Sequence, residues 1–246
     1  MTYCVGLRVN RGILMMSDTR TNAGVDSISI FKKMFVWETE GERSITIMTA
    51  GNLATTQAVI SLLNERMKPV DERAPSILTE PSMFQIARLV GDTLREVIAN
   101  QTGVEGPVAD SAFNASMIIG GQIQGGEPRL FLVYPQGNFV EACDDTPFFQ
   151  IGEAKYGKPI LVRAYDPEMS FEEAVKLLMV SFDSTIKANL SVGLPLDVHL
   201  YESDTYKTGI RRRIEKDDAY FEAISSGWGE ALKEAFAQLP SYSLDD

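Results

Sequence analysis

The sequence predicts an α+β fold: a four-layer αββα sandwich of two antiparallel sheets flanked by helices. Three observations carry this. Strand-like segments arrive as neighbouring pairs joined by turn residues, which argues for hairpins and antiparallel sheets. Helical patterns come in separate blocks, each with one apolar face. No repeat and no long polar linker divides the 246 residues, so one unit spanning 1–246 is expected, with a C-terminal helical segment from about 217.

The elements follow in order. Tyr3, Val5, Leu7 and Val9 alternate with Cys4, Gly6, Arg8 and Asn10, the period of a half-buried strand. Asn10-Arg11-Gly12 is a turn, and the unbroken apolar run Ile13–Met16 reads as a strand covered on both faces. After a polar loop through Asn22-Ala23-Gly24, a second hairpin is expected from Ile28–Trp37 and Ile45–Ala50, joined by Glu40-Gly41-Glu42. Leu53, Ala54, Ala58, Leu62 and Met67 then fall at helical spacing, stopping before Pro69. Pro69 to Pro81 is a proline-punctuated connection. A longer helix starts at Pro81-Ser82 and runs through Met83, Ile86, Leu94 and Ile98. Strands Ala115–Ile119, Leu130–Tyr134 and Phe139–Glu141 come next, with Gly120-Gly121, Gly125-Gly126 and Pro135-Gln136-Gly137 read as turns. Ser170 and Glu173 form a capping box that opens a helix to about Ala188. Leu196–Tyr201 is a strand, Thr205–Arg212 its pairing candidate, and Asp217–Leu239 a final helix.

Composition narrows the function classes. Hydrophobic residues make up 44% and charged residues 23%, which excludes a disordered chain. With 23 basic against 34 acidic residues the net charge is −11, so neither nucleic acid nor an anionic membrane is expected as partner. Cys4 and Cys143 form no disulfide framework and no metal cluster, which fits a reducing, cytoplasmic setting. No basic-then-apolar signal segment opens the chain, and no run of about 18 apolar residues could span a bilayer. His199 is the only histidine. It lies in an alternating apolar run and reads as a structural strand residue.

Chemistry without histidine points to the start of the chain. Initiator methionine is removed when a small residue follows, so the mature chain is expected to begin at Thr2. Its hydroxyl is then a nucleophile and its α-amine, with an ordinary pKa of about 7.7–8.0, the base. The plain alternative is a threonine that simply begins a strand. Asp18 ends the apolar run at Met16, an unexpected place for an unpaired carboxylate. Lys32 and Lys33 lie within Ile30–Trp37, where adjacent strand residues face opposite ways, so both cannot be exposed. An inward Lys33 would pair with Asp18 and stabilise charge on the Thr2 hydroxyl. An edge strand with two solvated lysines is the other reading. Thr49-Ala50-Gly51-Asn52 passes from strand to helix, where the Gly51 amide could act as an oxyanion donor.

Together, Thr2, Asp18-Thr19-Arg20, Phe31-Lys32-Lys33-Met34-Phe35 and Thr49-Ala50-Gly51 resemble the N-terminal half of a proteasome-type β subunit, a family of N-terminal-nucleophile hydrolases. The Tyr3-Cys4-Val5-Gly6 start, the length and the C-terminal helix through Trp228 and Phe236 look closest to the bacterial Anbu (ancestral β subunit) branch. The resemblance implies a threonine protease in a homo-oligomeric, ring-like or open helical complex, cleaving peptide or amide bonds with no cofactor and no metal. It implies Thr2 as nucleophile, Lys33 and Asp18 as the activating pair, Arg20 as a loop brace and Gly51 at the oxyanion hole. Thr21, Phe31, Thr49 and Leu53 match the substrate side-chain pocket. The family places a serine where this chain has Glu153, a carboxylate that would hold the amine protonated or orient it. Ser191 matches a later serine, but Ala188-Asn189-Leu190 supplies no aspartate before it. A weakly active or non-catalytic assembly protein and a small-molecule amidase of the same superfamily therefore stand beside the peptidase reading. Arg211-Arg212-Arg213 reads as a solvated loop, with contact to an acidic surface of a neighbouring subunit as the other reading, and any regulator is left open.

Overall fold

The computed structural model describes residues 2–22, 28–68, 75–102 and 111–244. Met1, Ala23-Gly24 of the polar loop and residues 69–74 of the Pro69–Pro81 connection lie outside them. The strands are β1 (Tyr3–Val9), β2 (Gly12–Asp18), β3 (Arg20–Asn22), β4 (Ile28–Ile30), β5 (Met34–Thr39), β6 (Arg43–Gly51), β7 (Ala115–Ile123), β8 (Arg129–Val133), β9 (Phe139–Glu141), β10 (Phe148–Gly152), β11 (Leu196–Glu202) and β12 (Ile210–Ile214). The helices are α1 (Leu53–Glu65), α2 (Met83–Thr102), α3 (Ala154–Ala164), α4 (Phe171–Ala188) and α5 (Ala219–Ala237).

Two five-stranded antiparallel sheets form, in the orders β10-β1-β2-β11-β12 and β5-β6-β7-β8-β9, with β3 and β4 as a separate ribbon. The period of two sorts the strand residues into layers. Cys4, Ile13 and Met15 of the first sheet meet Met34, Met48, Ile118 and Leu130 of the second. Val5, Leu7, Leu14 and Met16 point the other way, onto Leu177, Leu178 and Phe182 of α4. Ile45 and Ile47 of β6 face α1 and α2 through Val59, Ile86 and Val90. β1 and β2 are thus covered on both faces, the physical reason for the unbroken apolar run Ile13–Met16 of β2. Asn52, Ser82, Ser170 and Asp218 cap α1, α2, α4 and α5, and Ser170 and Glu173 complete the capping box.

The structure corrects four expectations. Phe31-Lys32-Lys33 is a break between β4 and β5, not part of one strand from Ile28 to Trp37. Gly120-Gly121 is no turn but lies within β7; a Cβ on Gly120 would come 2.9 Å from Met15 Sδ of the facing sheet, so glycine lets the layers approach. Helix α3 was not expected, because Gly157 and Pro159 lower its propensity; burial of Gly157 and Leu161 and packing against α4 override that. Arg211-Arg212-Arg213 forms part of edge strand β12, where charge guards an unpaired edge, and the strand begins only at Ile210. No described helix is long and apolar enough to cross a membrane.

His199 is buried on β11, with Nδ1 2.8 Å from Thr46 Oγ1 of β6, a hydrogen bond between the two sheets. Its Nε2 lies 3.6 Å from Glu38 Oε1, which accepts from the Gly209 amide at 2.9 Å. Arg211 pairs with the other Glu38 oxygen. Burial opposes ionisation of Glu38, but His199, the Gly209 amide and Arg211 outweigh it and pull the carboxyl down to about 2. A lowered carboxylate pKa stabilises the fold above its unfolded value, near 4.5, and that stabilisation disappears as pH falls toward 2. Chemical unfolding of Glu38→Gln is therefore expected to show a stability deficit at pH 7 that shrinks below about pH 4.5. A deficit independent of pH would contradict the assignment.

Candidate active site

The start of the chain becomes β1, and its position is set by its neighbours on both sides. On one side the Glu153 amide donates to the Thr2 carbonyl at 2.8 Å, where β10 turns into α3. On the other, the Tyr3 amide donates to Asp18 Oδ1 at 3.0 Å. That same oxygen accepts from Lys33 Nζ at 2.7 Å. One carboxylate oxygen therefore links the ammonium to the Thr2–Tyr3 peptide. Thr2, Asp18 and Lys33 are 8%, 0% and 4% exposed, which sets this pair apart from a solvated surface ion pair.

The break between β4 and β5 explains how a lysine reaches this place. Leaving the strand path at Phe31-Lys32-Lys33 turns Lys33 inward and leaves Lys32 exposed. Met34 then resumes pairing with Met48. The Lys33 carbonyl accepts from the Thr49 amide at 3.0 Å, and Nζ also donates to the Arg20 carbonyl at 2.5 Å. The described residues thus supply partners for two of the three ammonium protons. Burial pushes the Asp18 carboxyl up, opposed by the Lys33 ammonium, the Tyr3 amide and the Gly193 amide facing it. Asp18 Oδ2 has no hydrogen-bond partner of ordinary geometry among the described residues. Burial also drives the pKa of the neighbouring Cys4 thiol far up, so it stays protonated behind the pair.

The remaining expected residues fall around this pair at different removes. Arg20 donates to the Leu190 carbonyl at 2.9 Å, while Gly193 packs against its guanidinium. Ser191 lies in the segment so held, its amide bonded to Asn189 Oδ1 at 2.9 Å. Thr21 is half-buried on β3, and half-buried Phe31 donates its amide to the Thr19 carbonyl at 2.9 Å. Thr49 is buried on β6; Gly51 ends that strand exposed, and half-buried Leu53 opens α1. Gly51 lies two residues beyond Thr49, whose amide binds the Lys33 carbonyl, and Leu53 follows at the start of α1. Sequence reasoning gave Thr19 no role beyond its motif, yet its amide and hydroxyl both donate to the Pro195 carbonyl, at 3.1 and 2.7 Å. Its signal was its place between Asp18 and Arg20. Among the described residues no cluster of histidine, cysteine, aspartate and glutamate could hold a metal ion.

A buried ammonium–carboxylate pair beside a threonine can polarise a hydroxyl and hold charge that develops on it. Comparison with known proteins gives this arrangement its setting. The family described as proteasome subunit matches residues 107–197. A proteasome subunit beta of Haloquadratum walsbyi is 24% identical over 205 residues, covering 82% of this chain and 74% of that one. Anbu, the ancestral β subunit, from Yersinia bercovieri superposes with a TM-score of 0.91 at 47% identity, over 99% of this chain and 100% of that one. The Anbu complex of Pseudomonas aeruginosa, solved as a helical assembly, gives 0.89 at 44% identity over 99% of each chain. The fold is accordingly that of the N-terminal-nucleophile hydrolases. At this identity over essentially the full length, the chain belongs to the proteasome β-subunit family, in its Anbu class.

Proposed function

We propose that this chain, once Met1 is removed, is a threonine-type hydrolase of peptide or amide bonds with Thr2 as its nucleophile. The observation that carries this is the Asp18 oxygen shared by Lys33 Nζ and the Tyr3 amide. Thr2 Oγ1 attacks the scissile carbonyl while its proton passes to the Thr2 amine, directly or through a water. Lys33 stabilises the hydroxyl as it loses that proton. The Gly51 amide holds the oxyanion, and the Thr2 amine returns the proton to the leaving amine. An ester on Thr2 remains, and water releases it with the amine again as base. Thr21, Phe31, Thr49 and Leu53 shape a mildly apolar pocket for the substrate side chain. Arg20 keeps the 190–195 segment against the pair.

The helical assembly of the Pseudomonas Anbu complex supports self-association of this chain, as an open ring or helix; a cytoplasmic setting is part of the same proposal. We take residues 1–246 as one hydrolase unit. Intact-mass analysis after treatment with a peptide epoxyketone tests the reading. One adduct on a chain lacking Met1, located at Thr2, is expected; an unlabelled chain, or one labelled with Met1 retained, overturns it.

A weaker enzyme is favoured by one observation: the residue whose amide binds the Thr2 carbonyl, Glu153, is an acid where the family has a serine. Raising the amine pKa by one unit lowers the neutral base roughly tenfold at neutral pH. Glu153→Ser is expected to speed labelling at pH 7 by about that factor. An unchanged labelling rate removes Glu153 as a brake.

A further inference from the structure

Side chains alternate along β1, so Tyr3 points away from the interface between the sheets and into the helix layer. Its ring is fully buried, 4.5 Å from Phe182 between centroids. The phenol meets Gln150 Nε2 at 2.6 Å and Ser181 Oγ at 2.7 Å, and Ser181 Oγ donates to the Gly157 carbonyl at 3.2 Å. Proton accounting gives the chain one direction. Gln150 donates to the phenol; Ser181 spends its only proton on Gly157, so the phenol donates to Ser181. Gln150 Nε2 also donates to the Ala154 carbonyl at 3.2 Å. Both carbonyls belong to the start of α3, the helix whose preceding residue, Glu153, binds the Thr2 carbonyl. The bonds therefore close a ring running from Thr2 through Glu153, the first turn of α3, Ser181 and Tyr3 back to Thr2.

We infer that Tyr3 is a positioning residue for Thr2: its phenol, relayed through Ser181, locks the first turn of α3 against the nucleophile. The inference rests on the reading of Thr2 given above. Two features show that the contact is built rather than incidental. A Cβ on Gly157 would lie 2.2 Å from both Ser181 Oγ and the Tyr3 oxygen, so α3 reaches the relay only with glycine there. Burial also pushes the Tyr3 pKa up to about 12, against the pull of its hydrogen bonds to Ser181 and Gln150. The phenol therefore keeps its proton for donation to Ser181 throughout the neutral range. Nothing in the relay touches substrate. It fixes where the first residue sits, and a misplacement of about 1 Å at a reacting group can lower a rate by about 10²-fold.

Tyr3→Phe removes the hydroxyl and keeps the ring; Ser181→Ala cuts the relay at its middle. In mature, assembled protein both are expected to lower the maximal rate of epoxyketone labelling by about 10- to 100-fold, with probe affinity unchanged. Parent labelling rates in both variants overturn the inference. So does a parent rate on a reduced labelled fraction, the mark of impaired folding alone. Hydrogen exchange of the segment 153–157 gives a second readout that needs no reactivity. If the parent chain is not labelled, the hydrolase reading fails and exchange decides the clamp. Faster exchange confined to that segment in both variants supports it, and unchanged exchange overturns it.

Discussion

Lys33→Ala is expected to abolish covalent labelling of Thr2 and, at neutral pH, to destabilise the fold by about 3–5 kcal/mol, the usual result of stranding one member of a buried ion pair. The two effects have separate causes. On the proposed mechanism, labelling fails because the charge that would stabilise the developing alkoxide is gone; a single such donor is worth about 10²–10³ in rate. Stability falls because Asp18, 0% exposed, loses the cation held 2.7 Å away and keeps only amide neighbours. The pH dependence follows from burial, which pushes the Asp18 carboxyl up. With Lys33 removed, folding favours the protonated acid, so the stability deficit should narrow on acidification and be largest at neutral pH and above. Urea titrations across pH measure this, alongside time-resolved intact mass. The double variant Asp18→Asn, Lys33→Met removes both charges; it should recover much of the stability and none of the labelling. A single variant that labels at the parent rate would leave Lys33 a purely structural cation.

The pair was within reach of sequence reasoning because its two members broke patterns: an acid ending a buried strand and adjacent lysines in an apolar run. Of the two readings that spacing left open, the structure has the inward lysine, but by another route. Lys33 faces inward because the chain leaves strand geometry between β4 and β5, not because it alternates within one continuous strand. Strands covered on both faces were equally legible, since Ile13–Met16 must satisfy two apolar layers at once. α3 was hidden for the opposite reason. Gly157 and Pro159 are poor helix residues, and the glycine is there to let Tyr3 and Ser181 approach, a constraint from residues far away in the chain. Gly120-Gly121 misled in the same way, as the closeness of two sheets looks like a turn when read locally. Thr19 gave almost no signal, because its bonds to the Pro195 carbonyl exist only once β2 and β11 are paired.

Gly152→Ala is expected to be nearly as damaging to reactivity as loss of the lysine. Gly152 has φ +83°, and a Cβ there would lie 1.8 Å from the Thr2 carbonyl oxygen. Two costs follow. Left-handed backbone strain for alanine is about 1–2 kcal/mol. The clash is relieved only by moving Thr2 or Glu153, which breaks the hydrogen bond between them, worth about 1 kcal/mol. Gly125 separates these contributions: its φ is also +83°, but a Cβ there meets nothing within 4 Å. Gly125→Ala carries the same backbone strain without touching the chain start, so it should lose comparable stability and label at the parent rate. Gly152→Ala should lose more stability, and its labelling should fall by about 10²-fold, since displacement reaches the nucleophile itself. Paired melts and labelling rates decide the matter. Equal labelling in the two variants would mean that the Thr2 hydroxyl tolerates the shift, and that the junction of β10 and α3 shapes the fold rather than the reacting geometry.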